Sequence, residues 1–220
     1  MPKVIHRGWL GGEMPENFKQ FGQEWLDLNP GYELHDWTEE EIFDTEWVNQ
    51  PVIDKMREES VHPYADKVAF YTHVMDVVGY ELVNSGGWYF NCDLKPLKSL
   101  DTLDYSLDTP AIAYEDDLHL VNMAMYSPER SQFFDKVIEN LPKRYFGMPM
   151  AFMHETTGVQ LIMQTLTEYE GPLTRFHRDV FNPVHFADVP IGTEPNLNRE
   201  FGAETVAVHL WGHRGNQRGH

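Results

Sequence analysis

The chain has 220 residues, 41% of them hydrophobic and 13% aromatic, and carries a formal net charge of -18. That length and composition predict one globular domain with a real core rather than a disordered chain. The acidic surface argues against nucleic acid or anionic lipid as a partner, and no apolar run approaches the roughly 18 residues of a membrane span. The single cysteine, Cys92, leaves no internal disulfide and fits a reducing, cytoplasmic setting. The N-terminus lacks the apolar stretch of a signal peptide and reads as a strand.

That strand is Val4-Ile5-His6, followed by a turn at Gly11-Gly12. Residues 15–28 place Phe18, Phe21, Trp25, Leu26 and Leu28 at helical spacing, and Asn29-Pro30-Gly31 stops the helix. Residues 32–37 alternate like a second strand. Thr38-Glu39-Glu40-Glu41 is a capping box, so a helix is predicted from there to about Val48. Residues 63–83 carry an apolar stripe and are predicted to be helical. Strands follow at 88–91 and 111–114, then an acidic loop, Glu115-Asp116-Asp117. Residues 120–125 read as strand or extended chain. A helix is expected from Ser127-Pro128-Glu129 to about Leu141, with serine at the N-cap and proline at N1. Another helix is expected near 156–168. Short β-like pieces come at Val180-Phe181 and 206–210, and residues 212–220 form a polar, Gly-rich tail. Strands alternating with helices imply an α/β domain over residues 1–211.

One stretch carries chemistry. Gly86-Gly87 leads into a buried-strand pattern, Trp88-Tyr89-Phe90, which ends on Asn91-Cys92-Asp93 and then Leu94-Lys95-Pro96-Leu97. A carboxylate at a strand exit is where open α/β sheets hold ligands, and paired glycines let another backbone or a ligand approach closely. Alternation turns Cys92 inward, as a packing residue. No nucleophile elbow, P-loop or zinc spacing appears.

Three blocks in order along the chain share a resemblance. Pro2-Lys3-Val4-Ile5-His6-Arg7-Gly8-Trp9-Leu10-Gly11-Gly12 is similar to the opening of the glycosyltransferases named for a sugar-binding region with an Asp-x-Asp motif. Asn29-Pro30-Gly31-Tyr32 and Trp37-Thr38-Glu39-Glu40 extend it. The segment from Asp76 to Asp101 contains the Gly-Gly-x-Tyr-x-Asp-x-Asp element, with Asn91 standing for its first Asp. Val208-His209-Leu210-Trp211-Gly212 looks like the closing His-x-Trp element.

The resemblance implies a single-domain GT-A-like fold with a mixed central sheet. It also implies a retaining transfer of sugar from a UDP- or GDP-sugar to a hydroxyl of a glycan or protein acceptor. Asp93 would ligate Mn²⁺ or Mg²⁺, with His209 as a second ligand. Asp76 and Asn91 would hold the ribose and sugar, with Asp66 as a competing assignment for Asp76. Trp9 would stack on the base, Gly86 and Gly87 would let the donor approach, and Trp211 would pack over the diphosphate or sugar. The plain alternatives are a core Trp9, a core Trp211, a solvent-facing Asp76 and a sheet-edge His209. His6 is expected to hydrogen-bond inside the fold, and the acidic loop at 115–117 to be solvated. Asn91, and Gly79 where the family places an Arg, keep a second reading open: a non-catalytic binding module of the same fold.

Overall fold

The computed structural model describes residues 3–60, 67–148, 153–190 and 193–211. Asp66, His213 and the tail at 212–220 lie outside these residues. The elements run β1 (Val4–Gly8), α1 (Glu16–Leu28), β2 (Glu33–Trp37), α2 (Glu39–Asp44), α3 (Gln50–Ser60), α4 (Lys67–Asn84) and β3 (Gly87–Phe90). Then come β4 (Leu94–Pro96), β5 (Ala111–Tyr114), β6 (Leu120–Ser127), α5 (Gln132–Gly147), α6 (Met153–Thr156) and α7 (Val159–Thr167). β7 (Thr174–Phe176), α8 (Arg178–Phe181) and β8 (Ala207–His209) complete the order.

Six strands form one mixed sheet in the order β2-β1-β3-β6-β5-β7, and β4 pairs with β8 in a small antiparallel sheet. β1 is parallel to β2 and β3, β5 is parallel to β7, and only β6 runs against its neighbours. The C-terminal ends of β1, β3, β5 and β7 therefore open onto one edge of the sheet, the edge where α/β folds bind ligands. Alternation splits the core in two. Tyr89, Ile112 and Met125 face the layer built from α3, α4, α5 and α7. Trp88, Phe90, Ala111 and Ala113 face Trp25 of α1, Phe181 of α8 and Leu94 of β4. Trp25 stacks on Phe90 at 4.4 Å between centroids.

Several local expectations are corrected. The capping box at Thr38 forms, but α2 stops at Asp44 rather than near Val48. Thr45 is extended there, and its hydroxyl donates to the Glu41 carbonyl. α3 was not anticipated; Glu81 of α4 accepts from the backbone amides of Val48 and Asn49 just before it. Ser127 ends β6 instead of capping a helix. The cap of α5 is Ser131, whose hydroxyl accepts from the Phe134 amide, while its own amide donates to Asn84 Oδ1. α5 then continues through Pro142 to Gly147. Val180-Phe181 belongs to a helical turn, α8, not to a strand. Residues 207–209 are a strand as expected, but in the small sheet.

Candidate active site

The site is assembled where β3 runs out. The Asn91 amide still bonds to Met123 of β6 at 2.9 Å, and the Asn91 carbonyl accepts from Leu94 at 3.1 Å. Asn91-Cys92-Asp93 is thus a tight turn between the main sheet and β4. Cys92 points inward, its thiol donating to the Gly8 carbonyl at 3.2 Å. Burial pushes that thiol up to about 12, so it stays protonated and packs. Asp93 is left on the other side of the turn.

The small sheet brings the end of the chain to this point. Leu94 pairs with His209, and the Leu210 amide donates to the Asp93 carbonyl at 2.9 Å. His209 Nε2 then lies 3.0 Å from Asp93 Oδ1, across 116 residues of sequence. His209 is 5% exposed. Two octahedral ligands at about 2.1 Å, cis to one another, stand about 3 Å apart, so this carboxylate–imidazole pair has the donor spacing of two neighbouring positions on Mg²⁺ or Mn²⁺. The fit is partial: among the described residues no group of three or more His, Cys, Asp or Glu side chains could hold a metal ion. The remaining positions would fall to diphosphate oxygens and water.

Trp9 leaves the end of β1 beside this turn. It is half-buried, packed with Cys92, Phe21, Val208 and Leu210, and edge-on to Phe18 at 5.7 Å. Trp211 is a core residue: it is buried with Val184 and Val189, and its indole N–H donates to the Val184 carbonyl at 2.9 Å. Its ring lies 4.2 Å from that of His209, so it backs the imidazole and is not an open platform. His6 hydrogen-bonds within the fold, to the Gly86 carbonyl and the Trp37 indole, and burial lowers its pKa to about 4.

Asp76 is neither solvent-facing nor free to reach a ligand with an unused oxygen. It is 9% exposed; Oδ1 accepts from Asn122 Nδ2 and Oδ2 from the Thr157 hydroxyl, both at 2.7 Å. Burial raises its pKa to about 6, against the pull of those two donors. It ties α4, β6 and the residue just ahead of α7 into one unit. Gly79, one turn later, has a steric cause: a Cβ there would meet the Tyr89 ring at 2.9 Å. An arginine cannot occupy that position while Tyr89 packs on α4.

Gly86 and Gly87 are placed at the start of β3, the end opposite Asp93. Both have positive φ, and a Cβ on Gly87 would stand 2.5 Å from the Val4 carbonyl oxygen. They let β3 leave α4 and lie against β1. The first residues of the 115–117 loop are tied into the fold. Asp116 accepts from the Leu118 and His119 amides at 2.7 Å, and Asn182 Nδ2 donates to the Glu115 carbonyl at 2.7 Å. Asn122, Thr157 and Asn182 carry no motif, and only their long-range pairing reveals them.

Residues 15–109 match the family model described as a glycosyltransferase sugar-binding region containing DXD motif. The chain is 30% identical over 192 residues to inositol phosphoceramide mannosyltransferase 2 of Schizosaccharomyces pombe, covering 86% of this chain and 50% of that protein. It is 26% identical over 175 residues to mannosyl phosphorylinositol ceramide synthase SUR1 of Saccharomyces cerevisiae, covering 77% of this chain and 43% of that one. The chain therefore spans half or less of the length of these relatives. Among solved structures, PaToxG glycosyltransferase superposes with a TM-score of 0.60 at 14% identity, over 76% of this chain and 69% of that one. The UDP-bound glycosyltransferase domain of the YGT toxin gives 0.57 at 9% identity, over 79% of each chain. The fold is that of the GT-A glycosyltransferases, and residues 15–109 are similar to the glycosyltransferase sugar-binding region that contains the DXD motif.

Proposed function

We propose that this protein is a metal-dependent, retaining glycosyltransferase that moves a sugar from a nucleoside-diphospho-sugar to an acceptor hydroxyl. The observation that carries the reading is the Asp93–His209 pair, 3.0 Å apart at the ligand-binding edge of the sheet. Mannose is the first sugar to test, because the curated relatives are mannosyltransferases. The nucleotide is UDP or GDP, and the acceptor a glycan or a protein. A cytoplasmic setting goes with this reading, supported by the single cysteine, Cys92, which leaves no internal disulfide. Among the described residues no helix is long and apolar enough to cross a membrane.

Asp93 and His209 would hold Mn²⁺ or Mg²⁺, which supplies charge neutralisation to the departing diphosphate. Trp211 keeps the imidazole in place from behind. Asn91 offers an amide where the family motif offers a carboxylate; it accepts hydrogen bonds from a ribose or sugar hydroxyl without adding charge. Trp9 contributes the exposed part of its indole to the base. Asp76 acts through Asn122 and Thr157, fixing α4 against β6 and the residue ahead of α7. The chain's main catalytic contributions are orientation of donor and acceptor and stabilisation of the leaving charge.

The test is a thermal-shift and turnover screen of the purified chain against GDP- and UDP-sugars, GDP-mannose first, each with Mn²⁺, Mg²⁺ or EDTA. Stabilisation that needs both metal and one nucleotide, with slow release of that nucleotide, is the expected result. The second reading, a non-catalytic nucleotide-sugar or glycan-binding module, is favoured by Asn91 in the motif. Under it, binding persists with no turnover for any donor.

A further inference from the structure

The loop that leaves β1 holds an anionic oxygen that belongs to the chain itself. The Gly11 amide donates to Glu39 Oε2 at 2.9 Å, across 28 residues. The start of α2 does not call for that bond. Thr38 caps the helix, and its reciprocal bonds with Glu41 close a capping box. The Glu39 carboxylate, in the first turn of α2, is spare and turns to the loop. That loop is shaped for close approach. Gly11 and Gly12 are exposed and have positive φ, 91° and 114°. A Cβ on Gly11 would stand 2.6 Å from the Tyr71 ring of α4, whereas one on Gly12 would meet nothing within 4 Å. Gly11 is there because its backbone lies close against Tyr71, and Gly12 because of its conformation alone.

Printed contacts tie this loop to the turn that carries Asp93. β1 and β3 are parallel neighbours, so both run out at the same edge of the sheet. Cys92, next to Asp93, donates its thiol to the Gly8 carbonyl at 3.2 Å, and Trp9 packs against the cluster that contains Cys92. Gly11 follows two residues after Trp9. A glycine loop at the exit of a parallel strand is a common cradle for phosphate, because its amides meet anionic oxygens without a side chain in the way. An amide that already holds a carboxylate oxygen is matched to a phosphate oxygen in charge and in reach.

We propose that the Gly11 amide is a contact for the donor's diphosphate, and that Glu39 occupies this amide until the donor displaces it. Glu39 is then an internal competitor: its carboxylate both fills the donor's hydrogen bond and repels the donor's charge, so it must turn out to solvent as the diphosphate enters. The inference rests on the nucleoside-diphospho-sugar reading given under Proposed function.

The test is calorimetric titration of the full chain with GDP and UDP in Mg²⁺, and with guanosine and uridine, for wild type, Glu39→Ala, Glu39→Gln and Glu40→Ala. The amide proton resonance of Gly11 is followed by NMR in the same samples. Glu39→Ala is expected to tighten the Kd of the bound nucleotide roughly 2- to 10-fold, the worth of one hydrogen bond, and to leave the nucleosides unchanged. Glu40→Ala removes the same charge one residue away, from an exposed side chain, and should stay within about twofold of wild type. Glu39→Gln keeps an acceptor for Gly11 and should fall between. The Gly11 resonance should move upfield in Glu39→Ala and return downfield when nucleotide binds. If Glu39→Ala fails to fold, Glu39→Gln set against Glu40→Gln carries the comparison. Equal gains at positions 39 and 40, no gain or a loss in the Glu39 variants, or a Gly11 resonance that ignores bound nucleotide each overturn the proposal, while the transferase reading stands on the nucleotide binding itself. If wild type binds neither nucleotide in Mg²⁺ or Mn²⁺, that reading fails, and this inference with it.

Discussion

Asp93 and Asp76 show how differently two carboxylates of one fold can be used. Asp93 meets the His209 imidazole at 3.0 Å with its side chain partly exposed, so it can exchange that contact for a cation. Asp93→Ala should lower turnover roughly a hundredfold or more, because the leaving charge loses its stabilisation. The circular dichroism spectrum should not change, and full activity would remove Asp93 from the site. Asp76 has both oxygens committed inside the protein. Its pKa is raised from 3.8 to about 6, so the folded state binds its proton more tightly than the unfolded state does. By linkage the stability it lends is full below about pH 3.8 and is lost as pH rises through about 6. The change is about 3 kcal/mol at 1.36 kcal/mol per pKa unit. Asp76→Asn removes this titration. Denaturant unfolding from pH 4 to 7 should show wild type losing stability relative to the variant as pH rises, and a constant difference would mean Asp76 ionises as it does in the unfolded chain. In the sequence, the place of Asp93 just after a buried strand is legible. The burial of Asp76 is not, because Asn122 and Thr157, which enclose it, stand 46 and 81 residues away.

At the scale of elements, periodicity and local stop signals placed β1, α1, β2, β3 and β5 close to where they form. What they could not supply was a boundary set by tertiary contact. Ser127-Pro128 carries a good local helix-start signal, but β6 pairs with β3 as far as Ser127, and the Asn84 side chain captures the Ser131 amide, so the helix starts later. The paired glycines are a similar case. Their sequence invites a ligand, whereas in the fold they solve the exit from α4 into β3. Gly87→Ala combines a φ of 108° with a contact of 2.5 Å to the Val4 carbonyl. It should destabilise the protein by about 1–3 kcal/mol, seen as a lower denaturant midpoint. Donor affinity of the folded fraction should stay within about twofold, since β3 separates Gly87 from Asp93; a selective loss of donor binding with unchanged stability would return Gly87 to the site.

At the scale of the whole molecule, the charge of -18 sets a condition on the proposed chemistry. A nucleoside-diphospho-sugar is itself an anion, and the chain carries 35 acidic against 17 basic residues. The long-range field therefore opposes the donor and favours the cation. Salt should then act in opposite directions on the two. Raising ionic strength from about 0.02 to 0.2 M shortens the screening length from tens of ångströms to under ten, which weakens both the repulsion of donor and the attraction of metal. At saturating Mn²⁺ the KM for the donor should fall as salt rises, while at limiting Mn²⁺ the apparent metal affinity should weaken. Steady-state kinetics across that salt range, at fixed viscosity, measure both slopes. A donor KM that rises with salt would mean that a local basic patch governs donor capture. Among the described residues the acidic loop is contacted by His119, 2.9 Å from Asp116, and by Arg178, 3.8 Å from Asp117 and 3.5 Å from Asp179. Arg178 is already paired with acids, so under the proposed function a metal held by Asp93 and His209 would be the charge that draws the donor in, and metal should bind before donor.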